Sequence, residues 1–141
     1  DLAIDKNTST YYEGDVPVGT EAHVKLTATV SGAAILRIYE DPTSITAAQA
    51  AAVSTNRKRS AAPVASQATT KDQITAFAGG ELLFAIFLPG AFSAFGPGPI
   101  YEPKQEWIFA AGTPILFEIE NLTGKDGMIA SLVLDFYEVS V

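Results

Sequence analysis

The chain has 141 residues, nine basic against sixteen acidic for a net charge of −7, and no cysteine. That length favours one domain able to bury roughly 68–70% of its unfolded surface, and the missing thiols exclude disulfides, thiolate catalysis and every Cys-based zinc pattern. The acidic balance opposes broad binding to nucleic acid or to anionic membrane.

In chain order, residues 1–20 are polar and turn-rich, with Asn7-Thr8-Ser9-Thr10, Glu13-Gly14-Asp15 and Val16-Pro17-Val18-Gly19, and are expected to form an extended N-terminal arm. Residues 21–141 then read as one β-sandwich domain. Ala22, Val24, Leu26, Ala28 and Val30 alternate with His23, Lys25, Thr27 and Thr29, which predicts a strand with one buried and one solvated face. Ser31-Gly32 reads as a turn, and Ala34 to Tyr39 as the return strand of a hairpin. Glu40-Asp41-Pro42 stops pairing, because proline lacks the donor N–H. The tract Thr46 to Val53 is rich in Ala, leaving one or two helical turns and coil leading into a strand as alternatives.

Thr69 to Ile74 is a strand candidate, and Gly79-Gly80 a turn. Leu82-Leu83-Phe84-Ala85-Ile86-Phe87-Leu88 is far shorter than the roughly 20 residues that span a bilayer, so the chain reads as soluble. Because this run does not alternate, it predicts burial on both faces, at the centre of a sandwich or against a neighbouring subunit. Phe92 to Tyr101 holds too much Gly and Pro for regular structure and reads as a long loop with an apolar tip. Strands are expected over 106–109, 114–120 and 129–139, with Leu122 to Gly127 as the hairpin connection of the last pair. The sum is an all-β, single-domain antiparallel β-sandwich of about eight strands, jelly-roll-like.

Residues that do chemistry are scarce. His23 is the one histidine, placed on a polar strand face, where a solvated or cross-strand-paired ring is the expectation and a triad lacks partners in the sequence. No cluster has zinc-ligand spacing, which leaves carboxylates as the ligands of any metal. Glu118 and Glu120 share a strand face opposite Phe117 and Ile119, as an ordinary half-buried strand would arrange them. Asn7-Thr8-Ser9 and Asn121-Leu122-Thr123 fit the glycosylation acceptor pattern. Arg57, Lys58 and Arg59 concentrate positive charge and suit an anionic or carboxylate-bearing partner, while Phe92, Phe95 and Tyr101 form either a lid on the core or an exposed contact. Trp107 reads as a core anchor, with sugar stacking as the alternative.

Glu21-Ala22-His23, Tyr39-Glu40-Asp41-Pro42-Thr43, Asn56-Arg57-Lys58-Arg59-Ser60, Glu106-Trp107-Ile108, Gly112-Thr113 before a strand closing on Asn121, and Leu134-Asp135-Phe136-Tyr137-Glu138 follow one another in this chain. In that order they resemble small capsid decoration or cement proteins of tailed phages, over roughly residues 20–138. Phe109-Ala110-Ala111 and the Pro- and aromatic-rich 92–101 segment depart from the group's pattern. The resemblance implies a non-enzymatic virion protein on the capsid surface. It implies a homotrimer that bridges subunits of the major capsid protein, with no catalytic residues and no cofactor. The arm and the 56–60 run are the expected shell contacts. The alternative is a carbohydrate- or receptor-binding sandwich of a tail fibre, in which Trp107 or Tyr101 stacks on sugar.

Overall fold

The computed structural model describes residues 3–42, 44–46, 49–50, 69–72, 74, 76–90, 100–101 and 106–141. Among them every regular element is a strand. The strands are β1 (Ala3–Ile4), β2 (Ser9–Asp15), β3 (Thr20–Val30), β4 (Ala34–Glu40), β5 (Ser44–Thr46), β6 (Gln49–Ala50), β7 (Thr69–Asp72), β8 (Ala76–Ala78), β9 (Glu81–Leu88), β10 (Ile100–Tyr101), β11 (Trp107–Phe109), β12 (Pro114–Asn121) and β13 (Met128–Ser140).

The first sheet runs β1-β13-β3-β10, with β11 further along the same edge of β3 as β10; the second runs β6-β7-β2-β12-β4-β9, all pairs antiparallel. With β10 and β11 taken as one interrupted strand, the sandwich proper has eight strands, four in each sheet, in the orders β1-β13-β3-β10/β11 and β2-β12-β4-β9. That is the winding of a jelly roll, in which the chain passes from sheet to sheet at nearly every connection. Strands β5 to β8 come from the long connection between β4 and β9. β6 and β7 extend the second sheet, and β5 pairs with β8 in a small sheet of its own.

The alternation read in β3 holds throughout: Ala22, Val24, Leu26, Ala28 and Val30 are buried and meet Leu36, Ile38, Ile115, Phe117 and Ile119 of the second sheet in one core. Three expectations change. The β3–β4 and β12–β13 connections are not hairpins, since β4 pairs with β12 and β9, and β13 with β3. Both are arches between sheets. Hairpin and arch present the same local signal, a few turn residues between two apolar strands, and only register distinguishes them. The opening segment is extended but belongs to the sandwich, with β2 lying between β7 and β12. Of the two alternatives for the Ala-rich tract, its described residues Thr46, Gln49 and Ala50 favour the strand, lying in β5 and β6.

The third correction concerns the placement of the apolar 82–88 run at the centre of the sandwich. It forms β9, an edge strand whose Phe87 is 57% exposed, while Phe84, Ile86 and Leu88 turn inward. Burial on both faces belongs instead to β12, where Ile115 to Ile119 are all buried although glutamate interrupts the run. One face of β12 meets the core. On the other, the Phe77 ring of β8 packs at 5.4 Å from Tyr11 and 4.8 Å from Tyr39, the strands on either side of β12.

Candidate functional site

The alternation that buries Ala22 and Val24 turns Glu21, His23 and Lys25 to the outer face of the first sheet. Register then sets the neighbours of His23, with Ile108 of β11 on one side and Tyr137 of β13 on the other. Nε2 lies 2.9 Å from Glu21 Oε1, and Nδ1 lies 2.9 Å from Glu106 Oε1. The Tyr137 hydroxyl donates to the same Glu106 oxygen at 2.9 Å and stands 3.2 Å from Nδ1, while its ring stacks on the imidazole at 4.7 Å between centroids. One ring thus joins β3, β13 and the residue that opens β11.

A carboxylate at each nitrogen favours the doubly protonated imidazolium, which donates to both. The hydrogen bond to Glu106, then that to Glu21, holds the His23 pKa above its ordinary value. The Glu106 carboxyl is correspondingly lowered, first by His23 and then by Tyr137, and the Tyr137 phenol is raised by its bond to Glu106. In this state neither nitrogen keeps a lone pair for general-base work, and among the described residues no Ser or Thr hydroxyl bonds to the ring. The cluster acts as a saturated ionic clasp.

Around it the outer face carries exposed apolar side chains interleaved with Lys25, Ser131 and Asp135. Ile108 is 58% exposed, Tyr137 54% and Val133 44%, with Ile129 and Val139 further along β13. Strand parity explains the row, because Ile129, Val133, Tyr137 and Val139 are separated by even steps and so share a face.

The outer face of the second sheet holds a different network. Arg37 donates through one terminal nitrogen to Glu118 at 3.0 Å and Glu120 at 2.7 Å, and the Tyr39 hydroxyl donates to Glu118 at 3.3 Å. Burial, then the Glu118 charge, raises the pKa of both Tyr11 and Tyr39. The two glutamates therefore clamp one guanidinium and do not converge on open space. An open depression elsewhere on the molecule is lined, among the described residues, by Glu40, Asp41, Gly80, Glu81 and Thr113, three acids and a hydroxyl. Among the described residues no three metal-ligating side chains come together.

Of the residues singled out by sequence, Arg57, Lys58, Arg59, Phe92 and Phe95 lie outside the described residues. The Tyr101 main chain is in β10, opposite Ala28. Trp107 packs against the core, with its ring 5.5 Å from Phe84 and 6.2 Å from Phe109. Asn121 is fully buried, its amide nitrogen donating to Ile4 O and Lys125 O, so the second glycosylation pattern has no available acceptor in the folded chain. Sequence reasoning missed Glu106, Ile108 and Tyr137. Parity alone could have put Tyr137 on the face of Val133 and Val139, but its meeting with His23 needs the β3–β13 register. No family model, curated protein or solved structure matches the chain.

Proposed function

We propose that the protein is a non-enzymatic virion structural protein that decorates the outside of a phage head and bridges its shell subunits. The observation carrying this reading is the outer face of the first sheet, where Ile108, Val133 and Tyr137 stand exposed beside the saturated His23 clasp. Exposed apolar side chains gathered on one face characterise protein-binding surfaces, and the resemblance of the ordered motifs from Glu21 to Glu138 to phage decoration proteins supports a capsid shell as the partner. Arg57, Lys58 and Arg59 remain the proposed electrostatic contacts of that attachment. Binding only where neighbouring subunits have their assembled spacing stabilises the assembled shell by mass action.

The test is co-sedimentation with assembled empty shells and, separately, with free shell subunits. The protein is expected to pellet with shells and to ignore free subunits, and Tyr137→Asp together with Val133→Asp is expected to weaken attachment by placing charge in a desolvated contact. Failure to bind shells, together with binding to a defined glycan, would overturn decoration and promote the tail-fibre reading. That alternative has already lost one of its two stacking candidates, since Trp107 faces the core.

A further inference from the structure

The sandwich has four lateral edges, and two of them are irregular. In the first sheet the β10/β11 edge slips by two residues in its register on β3 between Tyr101 and Trp107. In the second, β9 shifts register against β4 between Ile38 and Tyr39. Such bulges are among the devices that keep a sheet from recruiting another chain. The β13 edge of the first sheet lacks them. Among the described residues β1 covers β13 at Met128 and Ile129, and no described strand runs beside β13 from Ser131 to Ser140 on the side away from β3. Over those ten residues β13 holds an unbroken register with β3 and contains no Pro, Gly or Lys.

The direction of its main-chain groups follows from two contacts. The Ile129 carbonyl accepts from Ser31 N–H at 2.8 Å, on the β3 side, and Met128 pairs with Ile4 on the other. Alternation then turns the N–H and C=O of Leu132, Leu134, Phe136, Glu138 and Ser140 toward the open side. We infer that this edge of β13 pairs antiparallel with β13 of a second copy of the chain, about a two-fold axis at Phe136.

The centre is fixed by the length of the open stretch, because Phe136 lies midway between Leu132 and Ser140. In this register Phe136 faces its own copy, Leu132 faces Ser140, and Leu134 faces Glu138. On the outer face Val133 meets Val139 of the second copy, and Asp135 lies beside Tyr137 of the second copy, so no like charges are opposed. Moving the axis one residue toward the N-terminus would set Asp135 against itself. Asp135 and Glu138 have partners within their own chain, and the contact is carried by main-chain bonds and the two valine pairs. The pairing joins two first sheets into one continuous sheet with the Ile108–His23–Tyr137 row on its outer face. It stands whatever surface the protein attaches to, and it puts a two-fold pair in place of the homotrimer that the resemblance implies.

Light scattering on the native chain should give twice the chain mass of 14.9 kDa. Val133→Lys should shift the protein to the monomer mass. Adding Val139→Glu should restore the dimer at low salt, because positions 133 and 139 meet only between copies. The chain has no cysteine, so a Val133→Cys protein mixed with a Val139→Cys protein should form a disulfide-linked dimer under mild oxidation, where side chains directly opposite stand about 4.5–5.5 Å apart. Neither variant alone should cross-link comparably. Circular dichroism unchanged by the substitutions shows that folding is intact. A native mass of one or three chains, or cross-linking as fast in either variant alone as in the mixture, would overturn the two-fold edge. A dimer that ignores assembled shells would instead overturn only the decoration reading.

Discussion

Asn121 donates from Nδ2 to the Ile4 carbonyl at 2.8 Å, a bond between residues 117 apart in the chain that ties the end of β12 to β1. The same side chain donates to Lys125 O at 2.9 Å, and its Oδ1 accepts from both the N–H and the hydroxyl of Thr123. Every hydrogen-bonding group of this buried amide is used, and together they shape the arch that carries the chain from the second sheet to the first.

Asn121→Ala is therefore expected to cost roughly 3 kcal/mol, because it strands several polar groups inside the arch. Urea unfolding measures it, and a loss below about 1 kcal/mol would count against the arch. If the chain is expressed through a secretory pathway, mass spectrometry should find no glycan on Asn121. Asn7, which is exposed, is the acceptor left open.

Gly90 offers a backbone test with an internal control. It has φ +78°, and a methyl group built on it would stand 2.3 Å from the Gly32 carbonyl carbon, main chain that cannot swing aside. Gly90→Ala should cost about 3 kcal/mol or more. Gly124 has a similar φ of +70° but nothing within 4 Å, so Gly124→Ala should cost only the left-handed strain, about 1 kcal/mol. Equal losses at the two positions would remove the close approach of the arches as the cause.

The His23 clasp sets a pH dependence whose sign can be worked out. A histidine whose folded pKa is raised contributes stability fully below its unfolded value of about 6.5, and that contribution is lost as pH rises through the folded value. Glu106, lowered in the fold, contributes above its unfolded pKa and loses this as pH falls through its folded value. The clasp is thus strongest from roughly pH 5 to 6.5. Its loss on the alkaline side should vanish in His23→Gln. NMR titration should place the His23 pKa above the ordinary value, and Glu106→Gln should lower it more than Glu21→Gln does.

Arg37→Met should destabilise the protein more than Glu120→Gln, since it leaves the buried Glu118 carboxylate without its cation. Arg37→Met combined with Glu118→Leu should recover much of that loss, because an apolar pair needs no desolvation of charge. Chemical denaturation of the three variants measures the coupling.

The sequence by itself determined the class of fold. Period-two alternation in β3, with His23 outward and Val24 inward, depends only on the geometry of an extended chain, so it survives any arrangement of the strands. For the same reason it placed Glu118 and Glu120 on one face and, through a lone indole within an apolar strand, turned Trp107 to the core. Which strands lie side by side was decided by tertiary structure alone. Ser31-Gly32 has equally good chemistry for a hairpin and for an arch, and the close approach of Gly90 to Gly32 that accompanies the arch involves residues 58 positions apart. The apolar run of β9 became an edge and the glutamate-bearing β12 became central, because burial depends on what covers a face as well as on the residues that form it. The meeting of His23 with Glu106 and Tyr137 likewise rests on registers between β3, β11 and β13, long-range pairings that leave no local mark in the chain.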